Sequence, residues 1–479
     1  MGYNFLPCDR DQMYLMPPAL QDWLPEGDLA WFLLDAVAQM NLEDIIQSYR
    51  RDGWGQAAYE PSMMVALLLY AYCLGERSSR QIERLCERDI AFRVITANQR
   101  PDHTTLARFR QTHEKALAAL FTDVLRLCAE AGVVKVGVVA LDGTKMKADA
   151  ALAANRTVGA IQEAVQTMLT EAQGADAAED QLYGTKLRGD ELPEALQGRQ
   201  SRRARLQACQ ARLKQEAVDA QAEQHARLET RQAEEAATGQ PKRGRKLKAP
   251  QTVATEVEAT AKANVTDPDS RIMKTQSGYV QGYNAQAVVT AEQVIVAAEL
   301  TQQANDLQQL HPMLAQAQEN LQTIAHVQSL GIALADAGYC SEANLTEVVS
   351  EGPELLVATN KDWKQRKAQR EQPAPRGRIP KYFTARERMD RALLTKRGRR
   401  LYKTRGQTVE PVFGQIKVGR GCDRFMRRGE QACASEWKLL CTTHNLLKLW
   451  RSGKASWASR PWGSCQHGLR QGNGKKRRS

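Results

Sequence analysis

The spacing of its strand signals constrains this chain more than any other feature. Through about residue 130 apolar side chains recur at helical spacing, and at Val133 the period changes. VVKVGVVALDGTKMKADA (133–150) is a β-branched run of strand length ending in a polar turn, which predicts a strand buried in the middle of a sheet. Extended signals return only with GYVQGYNAQAVVT (278–290) and VIVAAELT (294–301), three residues apart and so readable as a hairpin. The stretch between, residues 155–263, has one aromatic residue, Tyr183, is rich in Ala, Gln, Glu and Arg, and repeats the triplet ARL at 204, 211 and 226. Polar helices of that kind bury only a thin seam and behave as a protruding arm, so the sheet must be assembled around an insertion between its first and second strands. Such an insertion costs little if its ends leave and re-enter the sheet side by side. The turn of the arm is expected at PKRGRKLKAP (241–250), five of whose ten residues are basic. Phosphate contact and a solvated loop tip are both open readings of it.

The remaining elements follow from caps and breakers. Pro61 opens the apolar run MMVALLLYAYCL (63–74) and Gly75 closes it. Ser78 and Ser79 are expected to cap RQIERLCER, with Gln81 completing a capping box. One long helix is expected from HTTLARFRQTHEKALAALFTDVLRLCAEAG (103–132), with Leu106, Phe109, His113, Leu117 and Leu120 on a single stripe. Short helices joined by tight turns, the last opening with Thr104, Thr105, Arg108 and Arg110, resemble a helix-turn-helix that reads a major groove. A bundle that only packs or dimerises has the same pattern. Further on come a helix (Leu307 to Glu319), the strands IALADAGY and LLVATNK (355–361), a helix carrying VEPVFGQIK (409–417) with Thr408 as its cap, and CTTHNLLKLWR (441–451). The expected fold is therefore α/β (mixed): a helical N-terminal DNA-binding or dimerisation domain (1–130), a core made of 131–154 and 264–451, a helical insertion (155–263) and a basic disordered tail (452–479).

No apolar run approaches the roughly 20 residues a bilayer requires. MGYNFLPCDRDQ lacks a basic start followed by an apolar stretch, so no secretory signal is expected and the predicted location is cytoplasmic. Ten cysteines never form CxxC and seven histidines never fall at HxxxH spacing, which predicts reduced thiols and no zinc site. Charge is sharply partitioned. Residues 361–479 hold 32 Lys and Arg against 8 Asp and Glu, a balance of +24 in a chain whose total is +12, which leaves the first 360 residues at −12. In 361–430 these charges alternate with Trp363, Tyr382, Phe383, Leu393, Leu394, Tyr402 and Phe413, the pattern of a folded surface that meets a polyanion such as nucleic acid.

Three acids sit where phosphodiester chemistry would use them. Asp142 follows VGVVAL and Asp336 follows IALA, each beside a small residue, Gly143 and Ala337. If the two strands are parallel neighbours, both carboxylates emerge at one edge, an arrangement that favours a divalent cation between them. Glu410 can add a third oxygen from the first turn of a helix, where Pro411 is tolerated. Taken singly, an Asp after a strand is more often a turn or capping residue than a metal ligand; the arrangement of all three is what points to chemistry. LDGTK at Asp142, LADAGY at Asp336, and Tyr402, Arg405, Glu410 and Lys417 resemble the DDE transposases of bacterial insertion sequences, as do the N-terminal helices and SRIMKTQSGYVQGYNAQ (270–286). The third motif departs at one point: four residues, instead of three, separate Arg405 from Glu410. The resemblance implies a ribonuclease-H-like catalytic core in which Asp142, Asp336 and Glu410 hold two magnesium ions, with manganese as a substitute. It further implies that Tyr402, Arg405 and Lys417 steady DNA beside the scissile phosphate, that the terminal inverted repeats and target DNA are the partners, and that the chain works as a homodimer or higher multimer on DNA. Cleavage and strand transfer at one site is the activity implied. A catalytically inactive DNA-binding relic and a metal-dependent nuclease without strand transfer are the alternatives.

Overall fold

A computed structural model describes residues 20–50, 57–167, 170, 194–241, 246–275, 278–325, 330–347 and 352–458, apart from 361, 363, 366, 367, 369, 370 and 381. Cys8, Tyr183, Trp363, Cys465 and the basic C-terminal KKRRS lie outside the described residues, as do 242–245 of the basic turn.

The N-terminal helices form where local signals and burial agree. Pro61–Leu74 begins with proline at its first turn, and the Glu60 carboxylate accepts from the amides of Ser62 (3.1 Å) and Met63 (2.6 Å). It ends at Gly75 with φ 86°, where any added Cβ would run into the Arg420 carbonyl, so glycine is required twice over. Met63 through Cys73 are all buried, because this helix is apolar on every side and is packed by Leu29–Ala38 and Glu430–Ser452. Ser78 does occupy the N-cap position of Ser79–Arg88, but its side chain makes no capping bond, so the expected capping box does not form. The single helix expected from residue 103 is two, His103–Thr112 and Glu114–Glu130. His113 breaks them at φ −103°, ψ 26°, where its ring is drawn between Tyr49 and Phe109. The apolar stripe survives the break: Leu106, Phe109, His113, Leu117 and Leu120 are all buried.

Among the described residues eight strands follow in chain order: β1 Val138–Lys147, β2 Asn155–Thr157, β3 Lys262–Asn264, β4 Arg271–Thr275, β5 Gly278–Thr290, β6 Ile295–Thr301, β7 Ile332–Ala335 and β8 Glu354–Val357. Six of them form one mixed sheet in the order β4-β5-β1-β7-β8, with β6 also on β5. β1 is antiparallel to β5 and parallel to β7, which is parallel to β8; the β5–β6 hairpin forms as the spacing predicts. Two expectations need correcting. β1 does not end before Asp142 but continues to Lys147, because β5 offers partners as far as Gly282 and Met146 is fully buried on the way. LLVATNK supplies only the short β8, which stops at Val357.

β2 and β3 pair antiparallel, Asn155 opposite Asn264, so the inserted segment leaves and returns at one place. Within it Glu194–Thr238 packs along Pro250–Thr260, and a small separate core of Val158, Ile161, Leu206, Cys209, Leu213 and Ala263 seals its base. Most of the other buried hydrophobic residues form one continuous core from Leu29 to Ala455 that joins the N-terminal helices to the sheet.

That core is organised by Glu430–Ser452, a helix that begins well before the expected Cys441. Fully buried Trp437 donates to the Gln286 carbonyl (3.1 Å), and Asn445 bonds both backbone groups of Ile295 (2.9 and 2.8 Å). Glu436 and Arg77 make a buried ion pair at 3.1 Å, tying the helix to the N-terminal bundle. The chain is also ordered further than the expected boundary at 452: Ala455 is buried and the Trp457 ring packs 5.4 Å from that of Phe32. Eight cysteines among the described residues are free thiols, seven of them buried. Among the described residues no helix is long and apolar enough to cross a membrane.

Candidate active site

The register of β1 on β7 sets the site. Leu141 lies opposite Ala335 on these parallel strands, so Asp142 and Asp336 are the next residues on each and their carboxylates share one edge, as the sequence predicts. A glycine near each leaves room for the neighbouring side chains. A Cβ at Gly143 would clash with the Gln286 amide and sit 2.6 Å from Asp306 Oδ1, and one at Gly338 would sit 2.8 Å from Asp336 Oδ1. The amide of Gly338 donates to Asp336 Oδ1 (2.6 Å) and that of Gly143 to Asp142 Oδ1 (2.9 Å), orienting both acids. Burial pushes the Asp142 carboxyl well above the usual carboxylate range; Arg405 offsets part of this, and Asp336 and Asp306 add to it.

The third acid approaches from Glu410–Gly414. Its cap is not Thr408, whose hydroxyl instead donates to Thr404 (2.8 Å) as the last residue of the preceding helix, Lys396–Thr408; Val409 is the N-cap and makes no side-chain bond. Val409, Val412 and Phe413 are buried, which turns Glu410 outward with its side chain 65% exposed. Arg405 lies between the acids, with Nη2 2.7 Å from Asp142 Oδ2 and Nη1 3.6 Å from Glu410 Oε1. One planar guanidinium thus bridges Asp142 and Glu410, which places their nearest oxygens within about 9 Å of each other. Among the described residues no group of three His, Cys, Asp or Glu side chains is gathered closely enough to hold an ion, and the Arg405 guanidinium lies between Asp142 and Glu410. The donor set itself, three carboxylates with no sulfur or imidazole, fits a hard divalent cation in chemistry.

The cationic side chains fall into two groups. The Lys417 ammonium donates to Thr144 Oγ1 (3.0 Å) and the Lys145 carbonyl (2.9 Å), which lays its stem along β1 just beyond Asp142. Burial pushes that ammonium below its usual range, with Asp423 countering. The Tyr402 hydroxyl reaches the Ala335 carbonyl (3.3 Å), one residue before Asp336. Tyr402, Arg405, Glu410 and Lys417 are thus brought around Asp142 and Asp336. The four N-terminal candidates are placed elsewhere. Thr104 and Thr105 give both amides and hydroxyls to Asp102, Arg108 is exposed, and Arg110 donates to Tyr72 Oη (3.3 Å), the Arg77 carbonyl (2.8 Å) and Ser79 Oγ. No hydrogen bond or ion pair among the described residues joins these four to the carboxylates.

Sequence reasoning did not single out Asp306, Lys145, Gln286 or Tyr339. Asp306 Oδ1 accepts from Asn284 Nδ2 (2.7 Å) and Gln286 Nε2 (2.8 Å), with Lys145 Nζ at 3.5 Å. It stands in the polar run TQQANDLQQL, where nothing distinguishes it from a helix-entry residue. Gln286 and Tyr339 were visible only as members of the motifs NAQ and DAGY.

Comparison with known proteins gives two family matches. A model described as Transposase domain (DUF772) matches residues 18–112, and one described as Transposase DDE domain matches residues 361–450. The second includes Tyr402, Arg405, Glu410 and Lys417. No curated protein and no solved structure matches the chain.

Proposed function

Since the chain belongs to the DDE transposases of insertion elements, with a mixed α/β fold suited to that domain, we propose that it binds the terminal inverted repeats of its element, cuts there, and joins the freed ends to target DNA. The observation that carries this reading is the in-register emergence of Asp142 and Asp336 from adjacent parallel strands, with Glu410 one guanidinium away. A mixed sheet with the first strand central, an antiparallel neighbour on one side and a parallel one on the other, supports a ribonuclease-H-like core.

Asp142, Asp336 and Glu410 would hold two magnesium ions. Bound there, magnesium supplies activation of the attacking hydroxyl and stabilisation of the departing oxygen of the phosphodiester. The chain's own residues do the rest. The amides of Gly143 and Gly338 fix the rotamers of the two aspartates. Arg405 neutralises the acids before DNA arrives and is placed to exchange them for a backbone phosphate, since guanidinium pairs with either in the same planar fork. Lys417 and Tyr402, one beside each catalytic strand, position the sugar-phosphate backbone over the acids.

Purified chain mixed with DNA carrying the element's ends, with and without magnesium, tests the proposal. Magnesium-dependent cleavage followed by joining is expected. Cleavage with no joined product would make the chain a nuclease, and binding with no cleavage would make it an inactive relic.

A further inference from the structure

Tyr339 is the last residue of the turn that begins at Asp336, and it is fully buried. Its amide donates to the Asp336 carbonyl (3.2 Å), while the preceding amide, of Gly338, donates to the Asp336 carboxylate (2.6 Å). The Tyr339 hydroxyl donates to Gln286 Oε1; the same amide group donates through Nε2 to Asp306 Oδ1 (2.8 Å). Asp306 is held in turn by Asn284 Nδ2 (2.7 Å) and Lys145 Nζ (3.5 Å). Gln286 and Asn284 are completely buried on β5, directly opposite Gly143 and Lys145 of β1. A buried polar chain therefore crosses from β1 and β5 to the Asp336 turn. Glycine at 143 and 338 leaves space for it, because a Cβ at 338 would sit 3.2 Å from Asp306 Oδ2 and one at 143 would strike Gln286.

Burying such a network is favourable only when its members satisfy one another, and the gain is one fixed arrangement of the groups it holds. Asn284 Oδ1 is the exception: it is buried with no hydrogen-bond partner and lies 2.9 Å from where a Gly143 Cβ would be. Both donors of the Asn284 amide are spent, on Asp306 and the Gln303 carbonyl (3.1 Å), which fixes the amide's orientation and leaves the oxygen facing the small space over Gly143.

We propose that Asp306, Gln286 and Tyr339 are positioning residues that set the Asp336 carboxylate for the divalent cation. This rests on the transposase reading above and names residues that reading does not use. Asp306 acts as an acceptor anchor, Gln286 as the link, and Tyr339 as the strut that holds the Asp336 turn against β5. Partners that orient a metal ligand without touching the metal typically change its affinity about 10-fold to 100-fold when removed.

The test is manganese binding to the full chain without DNA, measured by calorimetric titration well below the unfolding temperature of each variant. Tyr339→Phe keeps the ring and removes the strut, so affinity is expected to fall about 10-fold. Asp306→Ala should lose as much, and Asp306→Asn, which still accepts from Asn284 and Gln286, should remain within about 3-fold of wild type. Packing alone would lower the unfolding temperature of Tyr339→Phe and leave manganese affinity unchanged, which overturns the proposal. An Asp306→Asn variant as weak as Asp306→Ala would also overturn it, by making Asp306 a ligand. Should Asp306→Ala not fold, Tyr339→Phe decides alone. Asp336→Asn separates this idea from its premise: if it too binds manganese like wild type, the carboxylate centre fails as well, whereas its loss of binding beside intact Tyr339→Phe binding removes only the positioning network.

Discussion

Arg405 is the residue on which the geometry of the site turns. Its guanidinium is 11% exposed and pairs with Asp142, which is itself 18% exposed, so each is the main compensation for the other's burial. Removing one member of such a pair leaves a charge with no partner. Arg405→Gln should therefore lower the melting temperature at neutral pH and above. The loss should shrink toward about pH 5, because Asp142, already raised by burial, then takes up a proton instead of needing a cation. A melting series across pH checks this, and a pH-independent loss would mean that packing, rather than charge, is what Arg405 provides. Asp142→Asn tests the other side of the pair. It should abolish cleavage while leaving DNA affinity within a few-fold, since the groups that would hold cations differ from those that meet phosphates. Gel-shift and cleavage assays on the same preparation read both, and full activity would remove Asp142 from the chemistry.

At the scale of elements, the helix Glu430–Ser452 positions the site from behind. His444 Nε2 donates to the Gln293 carbonyl (2.9 Å), and Gln293, at φ 65° in the β5–β6 turn, also bonds Gln407 (3.0 Å) and Lys448 (2.7 Å). One turn thereby links the hairpin, the helix that carries Arg405, and the buried C-terminal helix. Burial pushes the His444 imidazole down to about 3, so the folded protein holds it neutral. Its contribution to stability is complete above the unfolded value of about 6.5 and is lost as pH falls, at roughly 1.4 kcal/mol per unit, until about pH 3. His444→Gln, which can still donate to Gln293, should flatten the acid limb of a denaturation profile taken between those limits. An unchanged limb would show that other groups dominate acid unfolding.

Over the whole molecule the decisive property is the separation of charge. The excess of Lys and Arg lies beyond residue 360, and from that region the fold brings Arg405 and Lys417 beside the acids of the sheet, so under the proposed function DNA would be drawn to the carboxylates by side chains from a different part of the chain. Binding to end DNA should weaken steeply with salt, with a log–log slope near −0.9 for each phosphate neutralised, and a flat response would contradict a basic interface. The same scale bears on the residues just beyond the boundary expected at 452. Because Trp457 packs on Phe32, truncation after Arg451 should cost about 1–3 kcal/mol relative to truncation after Ala458, a difference that thermal melting of the two proteins would register.

Local pattern was enough to find the strands β1, β5, β6 and β7, the helix from Pro61 to Gly75, and the acids at 142 and 336, because β-branched runs, proline at a first turn and glycine at a last one act over a few residues. Parallel pairing of β1 with β7 was only a condition in the sequence reading, and the fold supplies it. Tertiary contacts decided the rest. β1 runs past Asp142 because β5 continues beside it; His113 breaks a helix where Tyr49 and Phe109 hold its ring; and the C-terminal helix starts at Glu430, where Asp267 and Asp269, distant in sequence, accept from the amides of Gly429 and Glu430. The roles of Asp306 and Gln286 belong to the same class. A polar side chain in a polar run carries no sign of its partners, and only the folded chain, by excluding water from around it, turns it into a fixed part of a site.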